Sequence, residues 1–377
     1  MSDTPDLDRR RFLAQSGTAA AGLALAGLAP GTAHAADAPW LDVPGKLVRV
    51  TLPGAVKGGK VRSRKILVGD SGKRLVEKAL TTFTGEKTAV DALKRFVSAD
   101  DVVGIKVNCL GSPGLATHPD IAFALADLCQ QVGVTPDRLI IYDQYGSRMR
   151  RGGYKLRDRK GKIRVIRHWG QSSAKEDPRW GYNKTTMTPA GPAKFCKILD
   201  EVTAVINLPV VKDHDLTGVT GAMKNVAYGH IKVVPRFHCN KGYGYIDGKK
   251  VTKKGNCQPV CKWEHCNVAR MYSHAPLKDK VRFHLADATA VLYQGGPQHQ
   301  ARFTDVYDSV ILSTDPVAMD SFILRIVDEH RARHKMVPIN EIKRPRRRPA
   351  AFIAHAQALG LGIADPAKQS LEEVQLA

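Results

Sequence analysis

Short β-branched runs alternate with segments of helical periodicity along most of this chain, and that alternation fixes the kind of fold open to it. The runs Val102 to Val107, Arg138 to Asp143, Ala204 to Val211, Val281 to Ala286 and Ser309 to Ser313 read as strands. Between the first two, Pro119 to Val132 places Ile121, Leu125 and Leu128 on one helical face, with His118-Pro119 at its start. Pro316 to His330 repeats the pattern with Pro just inside its beginning. Strands separated by crossover helices predict an α/β fold, with a largely parallel sheet, flanking helices and long loop-rich insertions. The insertions are expected at about 146–192, rich in Arg, Lys, Gly and Pro with little periodicity, and at about 235–280.

The first 35 residues read differently. Asp8-Arg9-Arg10-Arg11-Phe12-Leu13 fits a twin-arginine export signal, although Asp8 stands where Ser or Thr is usual. Gly17 to Ala29 is a short Ala/Gly/Leu stretch, too brief for the roughly 20 residues that span a bilayer, and Ala33-His34-Ala35 offers a cleavage site. The expectation is a signal peptide over 1–35 handled by the twin-arginine export machinery. A single α/β domain over 36–377 would then work in the periplasm or outside the cytoplasm, with no transmembrane anchor after cleavage.

Composition matters at one point. Lys and Arg number 58 against 36 Asp and Glu, a net charge of +22. Two runs hold much of the excess, Arg148 through Arg167 and Lys343 through Arg348. Such runs attract anions. For an exported protein the expected partners are an anionic small molecule or an envelope polymer, not nucleic acid; a solvated basic loop is the plainer alternative.

Open α/β sheets place ligands outside the carboxyl ends of their strands. Lys106 and Asn108 close the first run, Asp143 the second, Lys212, Asp213 and His214 the third, Asp287 the fourth and Asp315 the fifth. The residues expected to carry chemistry are His214, Lys212, Lys106, Asp143 and Asp315. His214, near two lysines, is expected to be neutral and fit to act as a base or a metal ligand. Gly218 and Gly221 permit a tight turn whose N–H groups could cradle a carboxylate or phosphate, with Lys224 and Asn225 beside it.

The run Asn207-Leu208-Pro209 through Lys212, His214, Gly218-Val219-Thr220-Gly221-Ala222 and Lys224-Asn225 resembles the signature of the family catalogued as domain of unknown function 362. Other pieces agree in order: Gly104-Ile105-Lys106-Val107-Asn108, Thr117-His118-Pro119, Asn256-Cys257 with Pro259, Gly295-Gly296-Pro297, Thr314-Asp315-Pro316-Val317-Ala318-Met319-Asp320 and Leu359-Gly360-Leu361-Gly362. They span roughly 95 to 365. The resemblance implies relatives that include iron–sulfur fusions and twin-arginine exported forms. This chain lacks the clustered Cys-x-x-Cys-x-x-Cys repeats of the former, so it does not inherit an electron-transfer role from them.

Cys239, Cys257, Cys261 and Cys266 fall close together, with His238 and His265 adjacent. Disulfides, a metal ion or iron–sulfur cluster held by Cys257, Cys261 and Cys266, and free thiols all remain open. Cys257 alone belongs to the resemblance. Cys109, Cys129 and Cys196 read as small buried hydrophobes. Three functions compete: an enzyme acting on an anionic small molecule by acid–base or metal-assisted chemistry, a metal or iron–sulfur redox protein, and a non-catalytic envelope-binding module.

Overall fold

Near-continuous apolar runs, whose successive side chains point to opposite faces, let one sheet bury both its faces. In the computed structural model, ten strands form that sheet: β1 (Lys46–Thr51), β2 (Val103–Lys106), β3 (Leu139–Tyr145), β4 (Arg164–Trp169), β5 (Ala204–Asn207), β6 (Val210–His214), β7 (Gly218–Thr220), β8 (Val281–Leu292), β9 (Thr304–Ser313) and β10 (Ser370–Gln375). The structure describes residues 40–57, 66–169, 179–238, 244–246, 249–251, 267–343 and 349–377.

The main path runs β10-β1-β9-β8-β5-β2-β3-β4, with β6 beside β8 and β7 beside β6. Strands β8, β5, β2, β3 and β4 are mutually parallel, and β10 is parallel to β1. Strand β9 is antiparallel to both its neighbours, and β7 is antiparallel to β6. The protein is therefore an α/β fold on a mostly parallel sheet.

Helices cover both faces. Val103, Ile105, Ile141, Ile206, Phe283 and Leu285 meet α1 (Ser71–Thr84), α2 (Ala89–Lys94) and α3 (Pro119–Val132) on one side. Tyr142, Val205, Val211 and Ala286 meet α4 (Ala222–Ala227), α5 (Asn267–Tyr272), α6 (Pro316–Arg333) and α7 (Phe352–Ala358) on the other. Neighbouring residues such as Val205 and Ile206 thus serve opposite layers, as the two-residue period of a strand requires. Helix α3 has the expected limits; it starts with Pro119 at its first position and ends at Gly133, whose φ of 114° is left-handed.

Three departures from the expected pattern have local causes. The single run Ala204 to Val211 is two strands, β5 and β6, divided at Leu208-Pro209. Pro209 has no N–H for the ladder, and its carbonyl instead accepts from Asp287 N at 2.8 Å. Strand β8 extends to Leu292 because it carries both halves in turn, pairing with β5 over Val281–His284 and with β6 over Asp287–Leu292. The segment 146–192, expected as an excursion, contributes the edge strand β4 to the sheet. Inside 235–280 the described residues include a hairpin, Gly244–Ile246 with Lys249–Val251, and helix α5.

Candidate functional site

Lys106 at the end of β2 lies beside Asp143 of β3, and Lys212 within β6 reaches the same neighbourhood through Asn108; all three are buried. Lys106 closes β2 with 1% of its surface exposed. Its ammonium donates to Asp143 Oδ1 and to the Val107 carbonyl, both at 2.7 Å, and reaches Asn225 Oδ1 at 3.4 Å. The other oxygen of Asp143 accepts from Cys109 N at 2.7 Å. Gly229 makes room for this lysine: a Cβ there would lie 2.7 Å from Lys106 Cε.

Lys212 is different. It is fully buried, and its ammonium makes one hydrogen bond among the described residues, to Asn108 Oδ1 at 3.1 Å. An ammonium has three protons to donate. Burial pushes Lys212 down to about 8, against the pull of Asp143; Lys106 pushes the same way as burial. A ring of amides completes the surroundings. Asn108 Nδ2 donates to Asn225 Oδ1 at 3.0 Å, and Asn225 Nδ2 to Asn207 Oδ1 at 2.8 Å. Asn207 Nδ2 in turn lies 2.8 Å from His284 Nδ1, and burial holds that ring down to about 3, so it is neutral. The neutral amides orient one another without adding charge, and the charges here belong to Lys106, Asp143 and Lys212.

Three expected site residues take structural parts. Asp315 caps α6, accepting from Val317 N and Ala318 N at 2.8 Å, and its other oxygen accepts from Gly45 N and Ile363 N. Four backbone donors on one carboxylate make a clamp between chain segments. The cradle expected at Gly218 and Gly221 is filled from within. The N–H groups of Ala222 and Met223, at the start of α4, donate to Asp320, and a Cβ at Gly221 would fall on that carboxylate. Burial raises Asp320 to about 7, against the two N–H groups that favour its charge. Gly218 adopts a φ of 74°, and a Cβ there would come 2.7 Å from Ala350 Cα.

His214 follows Lys212 on β6. Its Nδ1 accepts from Leu216 N at 3.0 Å, and its ring stacks on His238 at 5.1 Å. Lys224 is buried with its ammonium 5.8 Å from the centre of the Tyr228 ring. The structure therefore brings Lys106, Asp143, Lys212 and Asn225 together and assigns Asp315, Gly218 and Gly221 to the scaffold. Cys257, Cys261 and Cys266 lie outside the described residues. Among those described, no group of three or more His, Cys, Asp or Glu side chains is arranged to hold a metal ion, and no helix is long and apolar enough to cross a membrane.

Two members of the neighbourhood escaped the sequence reading. Cys109, expected as inert filling, bonds Asp143 through its backbone and stands close enough to feel the charges of Lys106 and Lys212; burial still drives its thiol well above the usual range. His118, at the start of α3, lies 2.8 Å through Nδ1 from Asp287 Oδ2, which also accepts from the His118 N–H. Only the Thr-His-Pro run hinted at it. Nothing in sequence spacing pairs residues 169 positions apart.

The signature residues Lys106, Asn108, Asn207, Lys212 and Asn225 thus form one hydrogen-bonded cluster, and a sequence profile matches the segment that carries them, residues 103–325. Its description is "Domain of unknown function (DUF362)". The chain belongs to the DUF362 family. This DUF362 member matches no curated protein. Among solved structures it is similar to a crystal structure of a protein from Thermotoga maritima, at 12% identity and a TM-score of 0.36. The likeness covers 72% of this chain and 61% of that one, so the chain spans about three fifths of the length of that relative.

Proposed function

We propose that this protein is an exported enzyme that binds an anionic small molecule beside Lys212, next to Lys106 and Asp143, and acts on it by proton transfer. The observation that carries this reading is Lys212. A buried ammonium with one acceptor is costly, because each unmet N–H has given up water without repayment. Burial alone would favour Met or Leu of similar length. A carboxylate or phosphate oxygen beside Lys212 would supply the missing acceptors and favour the charged ammonium over the neutral amine. Lys106 is already matched by Asp143 and holds the site in shape, which leaves Lys212 as the charge available to a ligand. Export rests on the twin-arginine pattern of residues 8–13 and the Ala33-His34-Ala35 site, and would put the reaction in the periplasm or elsewhere outside the cytoplasm.

The test is a thermal-shift comparison of the mature protein with small carboxylates and phosphate esters against their neutral amides and alcohols. Stabilisation by the anions alone, lost in Lys212→Met, is expected. Equal response to charged and neutral compounds, or an unchanged response in Lys212→Met, would rule the reading out.

A further inference from the structure

One stretch of the chain carries more positive charge than its surroundings balance. Residues 155–162 hold five basic side chains, Lys155, Arg157, Arg159, Lys160 and Lys162, and a single acid, Asp158. All five basic residues are exposed, and none of them meets a carboxylate among the described residues.

The segment that carries them is anchored. It runs back along the outer edge of β4, where Arg157 and Val165 exchange both backbone hydrogen bonds, at 2.9 and 2.7 Å. Arg157 Nε donates to the Ile163 carbonyl at 2.8 Å, and Gly161, at a φ of 68°, turns the chain between them. Asp158 is drawn toward the protein, its Oδ2 accepting from Trp180 Nε1 at 2.9 Å and from Arg179 Nη1 at 3.1 Å. Trp180 is buried, with the guanidinium groups of Arg179 and Arg164 at 4.4 and 5.4 Å from its ring centre, and Glu201 holds Arg164 in turn. The one acid that could neutralise the row therefore pins it down, and the five cations stay outside on a fixed frame.

Like charges gathered this closely repel, and the fold gains nothing from them. They become favourable when oxyanions lie beside them, through counterion release and charge-assisted hydrogen bonds. The shape of the row selects the partner. At the ~3.3 Å per residue of extended chain, Lys155 to Arg159 covers about 13 Å, longer than one small anion. A bilayer surface would also call for apolar side chains to enter it, and none of the exposed large apolar residues belongs to this segment.

From this anchored row of unpaired cations along the sheet edge, we propose that the outer edge of β4 is a docking surface for a linear acidic polymer with closely spaced phosphate or carboxylate groups. The surface is separate from the reading of Lys212 and does not depend on it.

The experiment measures binding of inorganic polyphosphate to the mature protein by calorimetry between 50 and 200 mM salt. Five contacts predict that affinity falls about a hundredfold over that range. Replacing Lys155, Arg159 and Lys160 together by Gln leaves two contacts, so the fall should shrink to about sevenfold, with binding at 50 mM salt at least tenfold weaker. Arg157 is spared because its Nε supports the turn. A control triple variant removes the same net charge elsewhere, by Gln at the exposed Lys78, Lys87 and Lys368, and should bind as the parent does. Lys212→Met should bind the polymer unchanged, whatever becomes of small-anion binding in that variant. Equal weakening in the two triple variants would assign the effect to net charge and overturn the proposal. Binding indifferent to salt, or binding to phosphatidylglycerol vesicles with none to polyphosphate, would overturn it too.

Discussion

At the residue scale the decisive quantity is the free energy stored in Lys212. Its ammonium loses protons at about 8 in the folded protein and at 10.5 when exposed. Below pH 8 it is charged in both states, and the folded state bears the whole penalty, about 3 kcal/mol for a shift of this size. As pH rises from 8 to 10.5 the unfolded chain binds more protons than the folded one, so stability rises and the penalty disappears. Lys212→Met should therefore stabilise the protein by up to about 3 kcal/mol at pH 7, with the gain shrinking toward zero above pH 10.5, measured by denaturant melts across that range. A destabilised variant at pH 7 would mean that Lys212 is better satisfied than its single bond to Asn108 indicates.

The cysteines make a second prediction at this scale. Cys109, Cys129 and Cys196 are buried and unpaired, and burial pushes Cys129 and Cys196 up to about 12. None should react with iodoacetamide in native protein at pH 8, and all three should react after unfolding. Mass spectrometry of the labelled peptides reads both states.

At the scale of elements, what the sequence disclosed and what it hid have different physical origins. Helix α3 was legible to the residue because the starting proline and the amphipathic period spoke for the same boundaries. The meeting of Lys106 and Asp143 was legible too, since neighbouring parallel strands end together, whereas Lys212, expected just past a strand end, lies within β6. The Asp315 clamp and the Asp320 cap were not. An aspartate at a strand end or in a helix looks the same whether it meets solvent, substrate or backbone N–H groups from residues some 50 to 270 positions away. The glycines at 218 and 221 likewise signalled a turn without saying what would fill it. Because that space holds Asp320 and Ala350, Gly221→Ala and Gly218→Ala should each cost at least about 2 kcal/mol. Chemical denaturation checks this, and a neutral result at Gly221 would mean that Asp320 has room to withdraw.

On the scale of the whole molecule, the sheet sets two tasks apart. Its β9 side carries the clamps that close the fold, and β2, β3 and β6 carry the buried charges of Lys106, Asp143 and Lys212. In this account the charge a ligand meets comes from Lys212, so metal removal should not matter there. Exhaustive chelation of the mature protein should leave Lys212-dependent anion binding unchanged, and its loss on chelation with recovery on adding a metal would require a different origin for the site.

The central claim is tested most directly by the affinity of the mature protein for sulfate between pH 6 and 10, measured by calorimetry. If Lys212 is the partner of the anion, affinity holds steady at low pH, falls by about tenfold per unit above pH 8 as the ammonium loses its proton, and is at least tenfold weaker throughout in Lys212→Met. Binding that ignores pH across this range, or that survives intact in Lys212→Met, would contradict the account.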